Sequence, residues 1–232
     1  MSNLPFESDY IKTVNSFFEL TTTLFEGKNN ALCWQRNLDG DFEEIVAQLI
    51  LEDDITEVSV EDLESLNLSE NGNKARQIII NDMNLLTEFG ALPSLNLLKC
   101  YERDDELGFI STDVYSWHVD RSPIGTDTYL CTYHGASSDI LPNEEAVQKI
   151  VVPEIREALK KLYNGPENEF ETFLVDHFFD LHYQEKPHAK AINVGKYALW
   201  RLAVDHPDQA VLPSIHRAPK ENEGEYRLML IC

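Results

Sequence analysis

Over the first ninety or so residues, apolar side chains recur every three or four positions, the spacing of amphipathic helices. Asp9 to Phe25 places Tyr10, Val14, Phe17, Phe18 and Leu24 on one broad face, and Gly27 ends it. After a short strand-like run, Ala31–Trp34, Asp41 opens a second helix through Phe42, Ile45, Val46, Leu49 and Ile50. A polar, acidic stretch over roughly 52–72 breaks the pattern. A third helix is predicted from about Lys74 to Phe89, carrying Ile78, Ile79, Met83, Leu85 and Leu86, with Gly90 as its stop.

Beyond Pro93 the period changes. Short β-branched or aromatic runs bounded by turn residues predict strands at 94–101, 114–118 and 126–133, then at 191–193, 197–204, 212–216 and 226–231. Between them, 143–184 reads as a helical insertion, interrupted at Pro153 and at Gly165-Pro166. The expectation is an α+β protein: a mostly helical part, residues 1–93, packed as one structural domain on a β-barrel or sandwich formed by residues 94–232.

Composition narrows the function classes. The chain has 232 residues, 43% hydrophobic and 10% aromatic, enough for a sizeable core. Its net charge of -22 argues against nucleic acid, whose phosphates are bound by Lys and Arg, and against anionic membrane surfaces. Cys33, Cys100, Cys131 and Cys232 lie in no CxxC pair, which suggests reduced thiols and a cytoplasmic setting. The opening MSNLPFESDYIK has no basic stretch leading into an apolar one, and no apolar run approaches membrane-span length.

The candidate chemistry lies in the β-rich half. On a strand, residues two apart share a face, so His118 and Asp120 of His118-Val119-Asp120 point the same way. His216, near the end of a later strand, completes two imidazoles and a carboxylate. That donor set suits Fe(II) and leaves metal positions open. Arg227 follows in the last strand. An acidic cosubstrate such as 2-oxoglutarate would chelate the iron through its keto acid end, and its far carboxylate would need a two-pronged donor such as Arg227. A hydroxyl from Tyr129, Thr126 or Thr128 would assist, with no sequence feature choosing among them.

WHVD (117–120), TYLCTYHG (128–135), LPSIHRAP (212–219) and YRLMLI (226–231) together resemble the Fe(II)/2-oxoglutarate-dependent dioxygenase superfamily over residues 94–232. More loosely, with CWQR (33–36), the layout resembles an uncharacterised family within it. The resemblance implies a double-stranded β-helix, a jelly-roll or cupin-like barrel. It implies His118, Asp120 and His216 as iron ligands and Arg227 as the 2-oxoglutarate anchor. The chain departs from the pattern in lacking a Gly-Gly turn after Tyr133 and in its long insertion, and both leave the substrate side open. A small molecule, an amino acid or a protein side chain all fit that class.

Other candidates carry less. His177 and His182 are five apart, not the four of a helical zinc pair, and read as solvated positions on an amphipathic helix. Arg121 and Arg217 would turn toward the cleft and attract an anionic substrate if the strand stops at His216. Trp200 reads as core. No phosphate loop or nucleophile elbow is present. The rival readings are a cupin-like metalloenzyme that does not use 2-oxoglutarate and a non-catalytic acidic binding protein on the same fold.

Overall fold

The computed structural model describes residues 8–232; residues 1–7, the start of the segment in which no leader pattern is expected, lie outside them. The first element is not the predicted helix over 9–25. Ile11–Val14 forms a strand, β1, and only Phe17–Thr22 forms helix α1. Ser16 explains the break: its hydroxyl accepts from the Glu19 amide and starts the helix there. Strand β2 (Ala31–Trp34) and helix α2 (Phe42–Gln48) follow as expected, the latter capped by Asp41. The acidic stretch holds a short strand, β3 (Ile55–Glu57), and a helix, α3 (Val60–Ser65), started by a reciprocal Ser59–Asp62 capping box. Helix α4 runs from Glu70 to Phe89 and ends on Gly90, whose φ of 100° is the left-handed conformation that closes a helix.

Ten further strands complete two sheets. They are β4 (Ser94–Leu98), β5 (Trp117–His118), β6 (Asp127–His134) and β7 (Asp139–Leu141). Then come β8 (Ala146–Gln148), helices α5 (Pro153–Leu162) and α6 (Phe170–Asp176), and β9 (His182–Glu185). The chain ends with β10 (Ile192–Asn193), β11 (Leu199–Ala203), β12 (Ile215–Arg217) and β13 (Arg227–Ile231). One sheet has seven strands in the order β1-β2-β11-β6-β13-β4-β3, and the other six in the order β10-β7-β12-β5-β9-β8. The pairing is nested and antiparallel: β4 with β13, β5 with β12, β6 with β11 and β7 with β10. Among the strands of the described residues only β1 and β2 pair in parallel.

Two expectations change. Beyond the expected β2, the mostly helical N-terminal part also supplies β1 and β3, which form the two edges of the seven-stranded sheet. The insertion is not wholly helical either, because β8 and β9 extend the six-stranded sheet beyond β5. A three- or four-residue edge strand holds too few alternating positions to be read against a helical background.

Strand alternation divides the cores. Tyr129, Cys131, Tyr133, Leu228 and Leu230 face α2 and α4 together with Ile45, Ile79 and Leu86. Leu130, Trp200 and Leu202 face the other way and meet Ile140 of the second sheet. Trp200 is fully buried core, as expected, with its Nε1 donating to the Val194 carbonyl at 3.0 Å. Burial pushes the Cys33 and Cys131 thiols up to about 12, so neither is a reactive thiolate at neutral pH. Among the described residues no helix is long and apolar enough to cross a membrane.

The inward stripe of α4 is Ala75, Ile79, Asp82 and Leu86. The one acid in it is satisfied. Arg36 Nη1 pairs with Asp82 Oδ1 at 2.6 Å, Tyr133 Oη donates to Asp82 Oδ2 at 2.6 Å, and Arg36 Nε donates to the Tyr197 carbonyl at 2.9 Å. The guanidinium also lies 4.8 Å from the Trp34 ring centroid. The CWQR run therefore pins α4 to the sheet. Asp82→Ala strands a buried Arg36 charge and should cost about 3–5 kcal/mol. Asp41→Ala, which removes only a helix cap, should cost about 1 kcal/mol. Denaturant unfolding midpoints of the two variants check the difference.

Candidate metal centre

Strands β5 and β12 are antiparallel neighbours with His216 directly opposite His118, and the two ring centroids lie 4.5 Å apart. Asp120 follows β5, its backbone held where the Asp205 amide donates to its carbonyl at 2.9 Å. Its Oδ2 lies 3.5 Å from His216 Nε2 and its Oδ1 3.9 Å from His118 Nε2. The three residues each offer a ligand atom within 4.8 Å of the others. Among the described residues they are the only such His/Cys/Asp/Glu group.

Each histidine is oriented by the carbonyl two residues before it. His118 Nδ1 lies 2.8 Å from the Ser116 carbonyl and His216 Nδ1 3.1 Å from the Ser214 carbonyl. A carbonyl only accepts, so Nδ1 carries the proton in both rings and Nε2 keeps its lone pair for a metal. Thr128 Oγ1 donates to Asp120 Oδ2 at 2.5 Å. Desolvation, with His216 adding to it, pushes His118 down to about 4, so its imidazole is neutral at physiological pH. Burial alone would raise Asp120, but His216, the Thr128 hydroxyl and His118 hold its carboxyl below the ordinary range. Two imidazole Nε2 atoms and a carboxylate therefore converge on one point, a donor set that suits Fe(II), Mn(II) or a related divalent ion.

No family model, curated protein or solved structure matches this chain significantly.

The other expected site residues divide. Arg227 is 1% exposed and projects between the sheets. Its Nε donates to the Ala136 carbonyl at 2.7 Å, its Nη2 lies 3.4 Å from Met229 Sδ, and its Nη1 has no partner. No carboxylate pairs with it among the described residues. Gly135 permits this seat: it takes φ 80°, and a Cβ there would lie 2.7 Å from the Tyr226 carbonyl and 2.9 Å from Arg227 Cγ. Thr128 serves Asp120 rather than the far end of a cosubstrate. Tyr129, expected beside Arg227, faces the helices and packs against Phe89 at 5.9 Å, because odd positions of β6 point away from the second sheet. Thr126 is exposed before β6 begins.

The hydroxyl on the correct face is Thr132. It is the cross-strand partner of Met229, fully buried, and its Oγ1 has no hydrogen-bond partner. Its spacing of four from Thr128 was the available signal, since both share one face of β6.

A cavity of about 710 Å³ opens onto His118 and Asp120. Arg121 lines it but is held by Asp180 and, at 2.8 Å, by Asp205. Arg217 does not turn toward it: β12 continues through Arg217, which points to the opposite face, pairs with Asp139 at 3.1 Å and lies 4.1 Å from the Trp117 ring centroid. The reading of His182 as a solvated helical residue is also corrected. It opens β9, stands opposite His118 in register, is 4% exposed and lines the cavity.

His118→Ala should abolish stoichiometric Mn(II) binding in calorimetry while the fold persists by circular dichroism. Thr128→Val should weaken Mn(II) by about 10–100-fold, the usual cost of losing the group that orients a metal ligand.

Proposed function

We propose that this protein is a non-haem Fe(II)- and 2-oxoglutarate-dependent oxygenase that hydroxylates a C–H bond of a substrate bound in the cavity beside His118 and Asp120. The observation that carries this reading is Arg227. A guanidinium is charged at every physiological pH, and burying one without an anion is costly. An arginine at 1% exposure with a free Nη1, beside an orphaned Thr132 hydroxyl, calls for an anionic ligand between the sheets. Thr128 and Thr132 are four residues apart on β6, about 13 Å along a strand. A dicarboxylate reaching inward from Asp120 toward Arg227 therefore lies along this strand. The nested pairing of β4 to β7 with β10 to β13 supports a double-stranded β-helix.

In this reading His118, Asp120 and His216 hold the iron on one face and leave the opposite positions open. When bound, iron and the keto acid supply the oxidation: substrate C–H, O2 and 2-oxoglutarate give substrate C–OH, succinate and CO2. The chain supplies position. Ser116 and Ser214 carbonyls fix both imidazoles, Thr128 fixes the carboxylate, and Arg227 with Thr132 takes the far carboxylate of 2-oxoglutarate. Burial of Arg227 keeps water from competing for that carboxylate. The net charge of -22 favours a small molecule, an amino acid or a protein side chain over nucleic acid, and the thiols suit the cytoplasm.

Arg227→Met tests the assignment, because methionine fills the space without the charge. The Mn(II)-loaded variant should lose 2-oxoglutarate affinity by at least about 100-fold, the cost of a charge-assisted pair. The ligand-free variant should melt at the same temperature as wild type or higher, since an unpaired buried charge is removed. Unchanged 2-oxoglutarate affinity would sink the reading and favour a cupin-type metalloenzyme without that cosubstrate. Wild-type protein reconstituted with Fe(II) should also convert 2-oxoglutarate to succinate.

A further inference from the structure

The cavity beside the metal triad has a wall that the proposed chemistry does not use. His182 stands opposite His118 across the β5–β9 pair, with ring centroids 5.9 Å apart, yet it lies outside the ligand group. It is 4% exposed, lines the cavity, and its Nδ1 is buried with no hydrogen-bond partner. A buried polar atom left unpaired at the edge of a cavity is a group awaiting a ligand.

The cavity is also lined by Asp104 and Asp113, from the loop before β5. Asp113 accepts from the Tyr115 and Ser116 amides at 3.0 and 3.2 Å and from the Asp104 amide at 3.1 Å, which locks the loop before β5 and sets Asp104 at the mouth. Asp104 accepts from the Thr112 hydroxyl. Neither carboxylate forms an ion pair among the described residues: Lys149, whose charge reaches Asp113 and His182, donates to the Ser116 hydroxyl at 2.7 Å and the Ser111 carbonyl at 3.3 Å, Arg103 stacks on the Tyr115 ring, and Arg121 is committed to Asp180 and Asp205. Val119 and Leu181 supply apolar surface between mouth and metal. Phe178 stands at the mouth, 59% exposed, at a φ of 58° that an aromatic residue rarely adopts.

We propose that this cavity binds a protonated amine on an aliphatic stem, with Asp104 and Asp113 facing the ammonium, His182 accepting a hydrogen bond from the substrate, and Phe178 covering the stem. The proposal rests on the metal-dependent reading of the site and names its substrate class. An exposed carboxylate such as Asp104, held in no ion pair, favours a cation, an aromatic face adds to that preference, and the apolar wall fits methylenes. An anionic substrate would meet like charge, which is why Arg121 does not recruit one. The stretch from Glu102 to Glu106, four acids against Arg103, adds long-range attraction.

Calorimetry on Mn(II)-loaded protein with 2-oxoglutarate tests this. The probes are N-acetyl-lysine methylamide, its uncharged norleucine analogue and its acidic glutamate analogue. The lysine probe should bind at least about tenfold tighter than the norleucine probe, the worth of one hydrogen bond to a charged group, and the glutamate probe weakest. Asp104→Asn, an exposed change that spares the fold, and His182→Leu should each weaken the lysine probe by about tenfold and leave Mn(II) affinity in place. Free L-lysine and a lysine-bearing peptide separate a free amine from a chain-borne one, and tighter binding of either over norleucine upholds the site. Equal affinity for lysine and norleucine probes, or no effect of Asp104→Asn, overturns it. If wild type takes up no Mn(II), the metal reading fails instead, and the same titrations on metal-free protein decide the amine site.

Discussion

The candidate centre depends on one register. His216 faces His118 only because β12 lies between β5 and β7 with Ile215 opposite Leu141 and His216 opposite Ile140. A slip of one residue would turn His216 to the outer face and bring Arg217 inward. Several features hold the register. Ile215 and Leu141 are both buried in the cluster outside the sheet, and Arg217 pairs with Asp139, its direct neighbour across the strands. Arg217, which as a sequence feature suggested substrate attraction, therefore acts on the site through alignment. Three short strands can hold such an arrangement because each is fixed from the side by a longer neighbour or a buried pair.

Buried charge is handled in two ways that separate structure from function. Arg36 and Asp82 are both inside, and each finds the other, with Tyr133 and the Tyr197 carbonyl taking the remaining valences. That network is closed and has no room for a ligand. Arg227 is equally buried but meets one carbonyl, a thioether and the Tyr101 ring, none of them an anion. The contrast within one chain gives Arg227 its weight: the fold can pair a buried arginine where only stability is at stake, and here it has not.

The residues show how far the sequence carries. His118, Asp120 and His216 were legible because alternation puts the first two on one face and the third lies in a later strand of the same β-rich half. Helices α2 and α4 were legible through Asp41 and Gly90, which mark their ends. The helix over 9–25 failed at Ser16, a cap in the middle of an apparently continuous apolar face. Tyr129 failed because neighbouring hydroxyls on a strand differ in face, and parity was not applied to β6: Thr128 at the metal end fixes Thr132, not Tyr129, as the deeper hydroxyl. His182 had no local signal. Its role arises from pairing β9 with β5 across sixty-odd intervening residues, a contact that no periodicity within either segment encodes.

That last miss explains how the molecule is built. The nested strand pairs supply every group of the triad, together with Thr128 and Arg227, whereas the walls facing outward come from the loop before β5 and from the insertion between β7 and β10. The insertion adds its own small core, Ile150, Leu159, Phe170, Leu174 and Phe179, joined by Ile110 from the loop before β5. This shared cluster couples the two outward walls to each other, so His182 and Phe178 on one side and Asp104 and Asp113 on the other are carried by a single packed unit. A wall assembled this way can change its side chains without disturbing the strand register that aligns the histidines. Under the proposed function, selection of substrate and assembly of the metal site fall on different parts of the chain, which meet where β9 pairs with β5 and where Arg121 pairs with Asp180.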